Sequence, residues 1–154
     1  MKKDISPFIE ENLDEDSGFL LLRISKLWEE AHEKALKKHY DLSHMQYAIL
    51  ASVHWLILHG QYEITQVKLA KHTKISPMTI SQSLKVLEQK GYVHREICST
   101  DARARYSFLT PKGKELMQKA FVTIFEADEK FFNTLGKNRK KLNQYMAELL
   151  WAND

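Results

Sequence analysis

The chain has 154 residues, of which 44% are hydrophobic and 28% are charged. This ordinary composition excludes a low-complexity or extended chain, and the length predicts one domain, residues 1–154, with a real core. The single cysteine, Cys98, excludes an internal disulfide framework and fits a reducing compartment.

The N-terminal region favours a soluble, cytoplasmic protein. Residues 1–16 are predicted to form an acidic arm, and without an apolar h-region no signal peptide is expected. The longest apolar run, 48–58, is interrupted by His54 and is too short to span a bilayer. We therefore expect no association with a membrane.

The net charge of +3 conceals a basic block in the middle of the chain. Residues 65–114 hold ten Lys/Arg and three Asp/Glu, a balance of +7, and the rest of the chain balances at −4. Such a block indicates either a nucleic-acid site or a solvated basic face, and charge alone does not decide between them.

Two helices are predicted first in chain order, over residues 17–40 and 44–59. Apolar residues at helical spacing define the first helix. Ser43 and Gln46 form the capping box that begins the second, and Gly60 ends it.

Two further N-caps predict a helix-turn-helix. Thr65 caps a short helix over 66–72, and a tight break follows at 73–75. Ser76-Pro77 then begins a helix that runs to about Lys90, because Ser satisfies free amides and Pro fits the first helical position. Its apolar side is predicted to consist of Ile80, Leu84 and Leu87.

The periodicity then changes to that of strands. Residues 92–97 and 105–109 are predicted to form a β-hairpin. Helices over 111–135 and 138–151 follow. The predicted fold is mainly α with a small β-hairpin wing (α+β): a winged helix-turn-helix over 42–116 between dimerisation helices at 17–40 and 117–152.

The terminal helices predict a homodimer. Their long apolar stripes exceed what a winged domain of this size can cover, and exposed apolar patches of that extent usually mark an interface. The stripes consist of Leu20, Ile24 and Leu27 in the first helix and Leu142, Met146, Leu149 and Leu150 in the last.

This order of elements is typical of proteins that bind double-stranded DNA. The second helix of the motif fits the major groove, where base edges can be distinguished. Its candidate contacts are mostly small, polar or basic: Ser76, Pro77, Met78, Thr79, Ser81, Gln82 and Lys85. On the wing, Arg103 and Arg105 are predicted to reach a minor groove, and Asp101 to hold one guanidinium in a bidentate pair.

Several motifs resemble those of the MarR family of transcriptional regulators. They are Leu42-Ser43-x-x-Gln46, Leu69-Ala70 through Ile75-Ser76, Leu87 through Val93, the D-x-R-x-R wing at 101–105 and the L-T-x-x-G segment at 109–113. The motif-level match spans roughly 42–116, and the order of elements matches over nearly the whole chain.

The resemblance implies a triangular homodimer that binds a pseudo-palindrome and responds to a small aromatic or phenolic effector, an oxidant or a metal. It implies no bound cofactor, and repression is the commoner mode in the family. Gln82 stands where many members carry a basic residue, and Pro77-Met78 where small polar residues are common. The operator sequence therefore does not follow from the resemblance.

Three groups of residues raise the question of what the protein senses. Cys98 lies at the base of the wing, where a structural thiol is favoured over a redox sensor. Five histidines in and around the first two helices form no compact ligand set, so no metal site is expected. The third group is aromatic and is either a pocket lining or plain core: Trp28, Tyr47, Trp55, Phe121 and Phe125.

An alternative function is a winged-helix module that binds a protein and not DNA. It predicts an apolar or acidic recognition face, and the basic Lys85, Arg103 and Arg105 argue against it. No glycine-rich phosphate loop, nucleophile elbow or pair of carboxylates in a cleft is recognisable, so an enzyme is not expected.

Overall fold

The computed structural model describes residues 16–154, so the predicted acidic arm lies almost wholly outside the described residues. Six α-helices and one β-hairpin follow in chain order within that range. They are α1 (Ser17–His39), α2 (His44–Leu58), α3 (Gln66–Thr73), α4 (Pro77–Gln89), β1 (Val93–Ile97), β2 (Arg105–Leu109), α5 (Pro111–Phe132), a 3-10 segment (Asn133–Asn138) and α6 (Arg139–Asn153). In this range no helix combines the length and the apolar character that crossing a membrane requires. The predicted winged helix-turn-helix fold is confirmed.

Side-chain caps set the starts of the first five helices. In each, a short polar side chain accepts the backbone N–H three residues further on, which satisfies one of the free amides of the first turn. The predicted capping box at Ser43 is complete, with both reciprocal bonds to Gln46 present, at 3.1 and 3.2 Å. The caps are Asp16, Ser43, Thr65, Ser76 and Thr110.

The core lies where α2 to α5 meet the hairpin. The predicted apolar side of α4 is fully buried, and α2 contributes the largest share of the remaining side chains. From α1 the core takes Leu36, whereas the predicted stripe of that helix faces outward. The largest fully buried apolar side chains are Leu36, Ile49, Leu50, Val53, Ile64, Leu69, Ile80, Leu84, Leu87 and Val93.

The wing has a third element that the sequence pattern did not reveal. β1 and β2 pair antiparallel from Val93 opposite Leu109 to Ile97 opposite Arg105. On the other side of β2, the N–H of Ser107 donates to the carbonyl of Ile64 over 2.8 Å, beside an isolated bridge between Thr65 and Tyr106. The residues before α3 therefore attach the wing to the helix-turn-helix.

The base of the wing is tied to the start of α5. The Thr110 hydroxyl donates to the carbonyl of Gly91 over 2.7 Å and accepts the N–H of Gly113 over 3.0 Å. Gly113 packs so closely that a Cβ there would lie 1.9 Å from the carbonyl oxygen of Tyr92. This approach gives a physical reason for glycine in the L-T-x-x-G motif, because no other residue lacks a Cβ.

The C-terminal helices differ from the prediction at their junction. α5 ends at Phe132 and not at 135, and a 3-10 segment with Gly136 at φ 47° leads into α6. A positive φ suits glycine, which carries no Cβ to clash. None of the residues of α6 is buried in the single chain. Leu142 is half-buried, and the remaining large apolar side chains of the helix are exposed.

Candidate nucleic-acid interface

The helix-turn-helix places α4 on the surface by means of short polar contacts. Ser76 accepts the N–H of Thr79 over 3.2 Å, and Pro77 occupies the first helical turn. The amide of Gln66, at the start of α3, donates to the carbonyl of Pro77 over 2.8 Å. Lys74 ends α3 in the left-handed region, at φ 59°. These contacts fix the angle between α3 and α4.

The outer face of α4 carries the predicted recognition residues. Ser76, Pro77, Met78, Gln82 and Lys85 are exposed, and Met78 is 70% accessible. Thr79 and Ser81 are half-buried at the edges of this face. The helix therefore buries one side and presents a polar side with one long apolar side chain near its N-terminus.

The wing tip is organised by a backbone contact. The Asp101 carboxylate accepts the N–H of Arg103 over 2.9 Å, and the Asp101 carbonyl accepts the N–H of Ala104 over 3.0 Å. The predicted bidentate pair of Asp101 with a guanidinium does not occur among residues 16–154. The carboxylate instead forms a tight turn with its own backbone.

Sequence reasoning missed the carboxylate that does hold an arginine of the wing. Arg95 of β1 donates to Glu88 of α4 from Nε over 2.9 Å and from Nη2 over 2.5 Å. Its guanidinium holds the pKa of Glu88 below the usual range of a glutamate. The two residues are seven apart across a helix end and a strand, and the helical and strand periodicities do not relate such positions.

A cavity of about 470 Å³ separates the wing from the start of α3. Arg95, Arg103 and Arg105 all line it, with Gln66 on the opposite wall. Within residues 16–154, no carboxylate lies in salt-bridge distance of Arg103, Arg105 or Lys85. The positive charges of the wing and of α4 are therefore available on one side of the molecule.

Cys98 is buried at the base of the wing. Its Sγ lies 2.8 Å from the hydroxyl of Tyr106 and 3.1 Å from that of Thr100. Hydrogen bonds with Thr100 and Tyr106 lower the pKa of the thiol, and the contact with Cys98 raises the pKa of Tyr106 to about 12. These contacts link the start of the loop to β2, which is a structural role.

The five aromatic candidates separate into different environments. Tyr47, Trp55 and Phe121 line one mainly apolar groove of about 380 Å³ between α2 and α5. Phe125 is exposed one turn beyond Phe121 and does not line this groove. Trp28 belongs to a different cluster, with two histidines.

The histidines also divide. His32 and His44 touch through their Nδ1 atoms at 3.0 Å, whereas His59 and His72 stack on Trp55. Within the described range, no three His, Cys, Asp or Glu side chains are grouped as a metal site requires.

Comparison with known proteins identifies the fold. The ArnR1-like, winged-helix domain family matches residues 38–127. An uncharacterized HTH-type transcriptional regulator of Bacillus subtilis (strain 168), YdcH, is 32% identical over 126 residues, which cover 82% of this chain and 84% of the relative.

Solved structures have the same architecture. A probable transcriptional regulator from Pseudomonas aeruginosa superimposes with a TM-score of 0.76 at 20% identity, over 89% of this chain and 98% of its own. The MarR-family regulator Sco3205 from Streptomyces coelicolor, solved in complex with DNA, gives 0.74 at 23% identity, over 87% and 86%. The S. aureus MepR–DNA complex gives 0.74 at 23%, over 89% and 98%.

These relatives are regulators of transcription, which confirms the expectation that the chain is not an enzyme. The family match covers more than half of the chain, and the observed wing and L-T-x-x-G contacts fall within it. The chain belongs to the ArnR1-like winged-helix domain family, and it has the fold of the MarR-family transcriptional regulators that its sequence motifs resemble.

Proposed function

We propose that the protein binds a specific double-stranded operator and represses transcription from it. The observation that carries the proposal is the polar face of α4 beside a wing whose Arg103 and Arg105 have no carboxylate partner among residues 16–154. A helix of this character reads base edges in the major groove, and the two arginines bind phosphate or a minor groove. Two of the similar solved structures, those of Sco3205 and MepR, are complexes with DNA and support this proposal.

The unit that binds is a homodimer. Leu21, Leu27, Leu149 and Trp151 are between 56% and 76% exposed on α1 and α6. Burying such residues stabilises an interface by about 25 cal/mol for each Å² of apolar surface. A two-fold dimer addresses two half-sites about one helical turn, roughly 10 bp, apart.

The effector we propose is a small aromatic or phenolic compound that occupies the groove between α2 and α5. Tyr47, Trp55 and Phe121 offer aromatic walls, and His54 and Gln118 offer polar groups at the rim. Because the groove joins a helix of the winged region to α5, a ligand there can alter their relative position.

A fluorescence anisotropy titration tests DNA binding directly. The probes are a labelled duplex from the region upstream of the protein's own gene and a scrambled duplex of equal length. We expect tighter binding to the upstream duplex and a slope of about −0.9 in log K against log salt for each phosphate contacted. Equal binding to both duplexes, or a response that salt does not change, would contradict the proposal.

The second candidate is a module that binds a protein and not DNA. Met78, 70% exposed at the N-terminus of α4, is the one feature that favours it, because an exposed flexible apolar side chain suits a protein partner. In the same titration this candidate predicts no binding to either duplex at any salt concentration.

A further inference from the structure

A buried polar cluster joins the terminal helices to the winged region. His32 of α1 is 2% exposed and lies between Asp128 of α5 and His44 of α2. Its Nε2 lies 2.9 Å from Asp128 Oδ1, and its Nδ1 lies 3.0 Å from His44 Nδ1. Three helices therefore meet at one imidazole, and DNA recognition does not use it.

Trp28 fixes where the protons of this cluster lie. Its indole N–H, which can only donate, reaches the same oxygen of Asp128 over 2.7 Å. As an ionised carboxylate, Asp128 accepts from both neighbours, so Nε2 of His32 carries a proton. In a neutral His32 the Nδ1 atom is then unprotonated, and His44 must donate to it from its own Nδ1.

The contact between the two rings limits how many protons they hold. Two neutral rings carry two protons on four nitrogens, and a third proton still leaves one Nδ1 unprotonated as the acceptor. A fourth proton places an N–H on both facing Nδ1 atoms. Two donors and two positive charges 3.0 Å apart are incompatible with the contact.

Acidic groups of α1 and α5 face the two rings. They favour protonation of His44, but they only partly offset the effects that disfavour it. Burial first, and then the neighbouring His32, lower the pKa of His44, whereas Glu29, Glu33 and Asp128 raise it. The net direction is downward, so His44 resists protonation in the folded chain.

Tyr47, the remaining titratable neighbour on α2, stays neutral, because burial, helped by the charge of Asp128, raises its pKa to about 12.

The His32–His44 contact lies at the start of α2. The backbone N–H of His44 donates to the carboxylate of Glu33 over 2.8 Å, and Ser43 caps the helix. The rings of Trp28 and His44 are 4.9 Å apart and perpendicular. Separation of the His32–His44 pair therefore removes one of the contacts that hold the N-terminus of α2 against α1 and, through Asp128, against α5.

We propose that the His32–His44 pair is a proton-binding site through which acidification loosens the joint between α1, α5 and α2. The effect on DNA binding rests on the proposed function. A loosened joint no longer holds the two recognition helices of the dimer at the separation of the half-sites. The affinity for the operator therefore falls. The effector of this site is the proton itself.

The first test concerns the free protein. Histidine Cε1 resonances are followed by NMR in the full chain between about pH 8 and about pH 5, a range that spans the ordinary histidine pKa of about 6.5. His44→Asn assigns the His44 signal by its loss. We expect His44 to titrate below the ordinary histidine pKa of about 6.5, because burial and the neighbouring His32 disfavour its charged form. Titration of His44 at or above that pH would overturn the proposal.

The second test measures linkage. Asparagine at position 44 keeps an N–H near the place of Nδ1 but takes up no proton. Between about pH 6.5 and about pH 5.5, the unfolding equilibrium constant of the wild type should rise by up to about tenfold per pH unit relative to His44→Asn. The control His39→Asn should follow the wild type. Equal pH dependence of wild type and His44→Asn would contradict the linkage.

The third test adds DNA. Over the same pH range we expect the operator affinity of the wild type to fall at least about fivefold relative to His44→Asn, since breaking one buried contact is worth about 1 kcal/mol. Any pH effect that does not involve residue 44 is common to both proteins and cancels in this ratio. Equal ratios would overturn the coupling to DNA. Absence of binding in both proteins at every pH would refute the proposed function, and the first two tests would still decide the proton site.

Discussion

Arg95, on the first strand of the wing, is held by both Nε and Nη2 on a single carboxylate oxygen of Glu88, in the last turn of α4. One end of this pair belongs to the recognition helix and the other to the wing. The pair therefore fixes the orientation of the wing relative to α4, the helix that we propose enters the major groove.

Glu88→Gln should weaken DNA binding, although it removes a negative charge. Without the carboxylate the ion pair with Arg95 is lost, and the orientation of the wing relative to α4 is less well fixed. We expect about 1 kcal/mol less stability, a small value because the Glu88 side chain is 34% exposed, and a several-fold loss of operator affinity. Anisotropy and urea unfolding measure the two effects. Tighter binding by the variant would mean that charge outweighs positioning.

The same pair predicts a pH effect. Because Arg95 lowers the pKa of Glu88 in the folded state, the pair stabilises the fold above the ordinary glutamate pKa, and this contribution is lost as the pH falls through the lower, folded value. Below about pH 4.5 the stability of the wild type should therefore approach that of Glu88→Gln. Parallel curves down to the lowest pH would contradict this reading.

Two variants of Asp101 separate the effect of its charge from the effect of its hydrogen bond. Asp101→Asn keeps an oxygen that accepts the N–H of Arg103, whereas Asp101→Ala loses it. We expect Asp101→Asn to bind DNA as tightly as the wild type or more tightly, and Asp101→Ala to bind several-fold less tightly. Anisotropy at fixed salt measures both. If the two variants bind equally, the turn does not contribute to affinity.

Much of the fold follows from local signals, because caps and glycines act within a few residues. Ser43, Ser76 and Thr110 each specify a helix start through a partner three positions away. Contacts between distant segments are different. The bridge from Thr65 to Tyr106 joins residues 41 apart, and no period in the sequence relates them.

The sequence predicts which side chains the candidate site exposes, but not which of its side chains pair with one another. The exposed face of α4 follows from helical periodicity once Ile80 and Leu84 are assigned to the core. The partner of each arginine does not, because several carboxylates are within reach of a long side chain. The sequence predicts a guanidinium partner for Asp101, whereas the structure pairs Arg95 with Glu88.

Gln82 and Arg103 should divide specificity from affinity. An amide pairs in bidentate fashion with adenine, which is worth about 1–3 kcal/mol of discrimination, so Gln82→Ala should weaken binding to the operator and not to the scrambled duplex. Arg103→Ala should weaken both by similar factors, because phosphate contacts carry no sequence information. Gln89→Ala, exposed at the far end of α4, is the control and should change neither.

Charge placed on α6 should separate the dimer. Leu149 is 65% exposed in the single chain, so Leu149→Asp leaves the fold of one chain intact and places a carboxylate within the proposed interface. We expect a monomer by sedimentation and a loss of affinity for the full operator. Tyr62→Asp, at a residue 71% exposed outside the helices, is the control and should remain dimeric. A wild type that sediments as a monomer at micromolar concentration would refute the homodimer.

Gly113→Ala should strongly destabilise the fold. The new methyl group would meet the Tyr92 carbonyl at 1.9 Å, and both partners are backbone, so relief requires α5 to move away from the wing. We expect a loss of about 3 kcal/mol in the free energy of unfolding, measured with urea. Gly18→Ala is the control, since its Cβ would meet the nearest atom at 3.4 Å. Similar losses in both variants would show that close packing at Gly113 is not the cause.

The short pairing of Ile64 and Thr65 with β2 also leaves the hairpin with a single open edge. Strands with free N–H and C=O groups are templates for the addition of further strands, and a projecting two-stranded wing is exposed to that risk on both sides. Here β2 is covered on its outer side, and the remaining edge belongs to β1, whose middle residues are His94, Arg95 and Glu96. Charged residues on an edge disfavour the approach of another strand. The protein can thus extend a β-ribbon into solvent without promoting self-association through its strands.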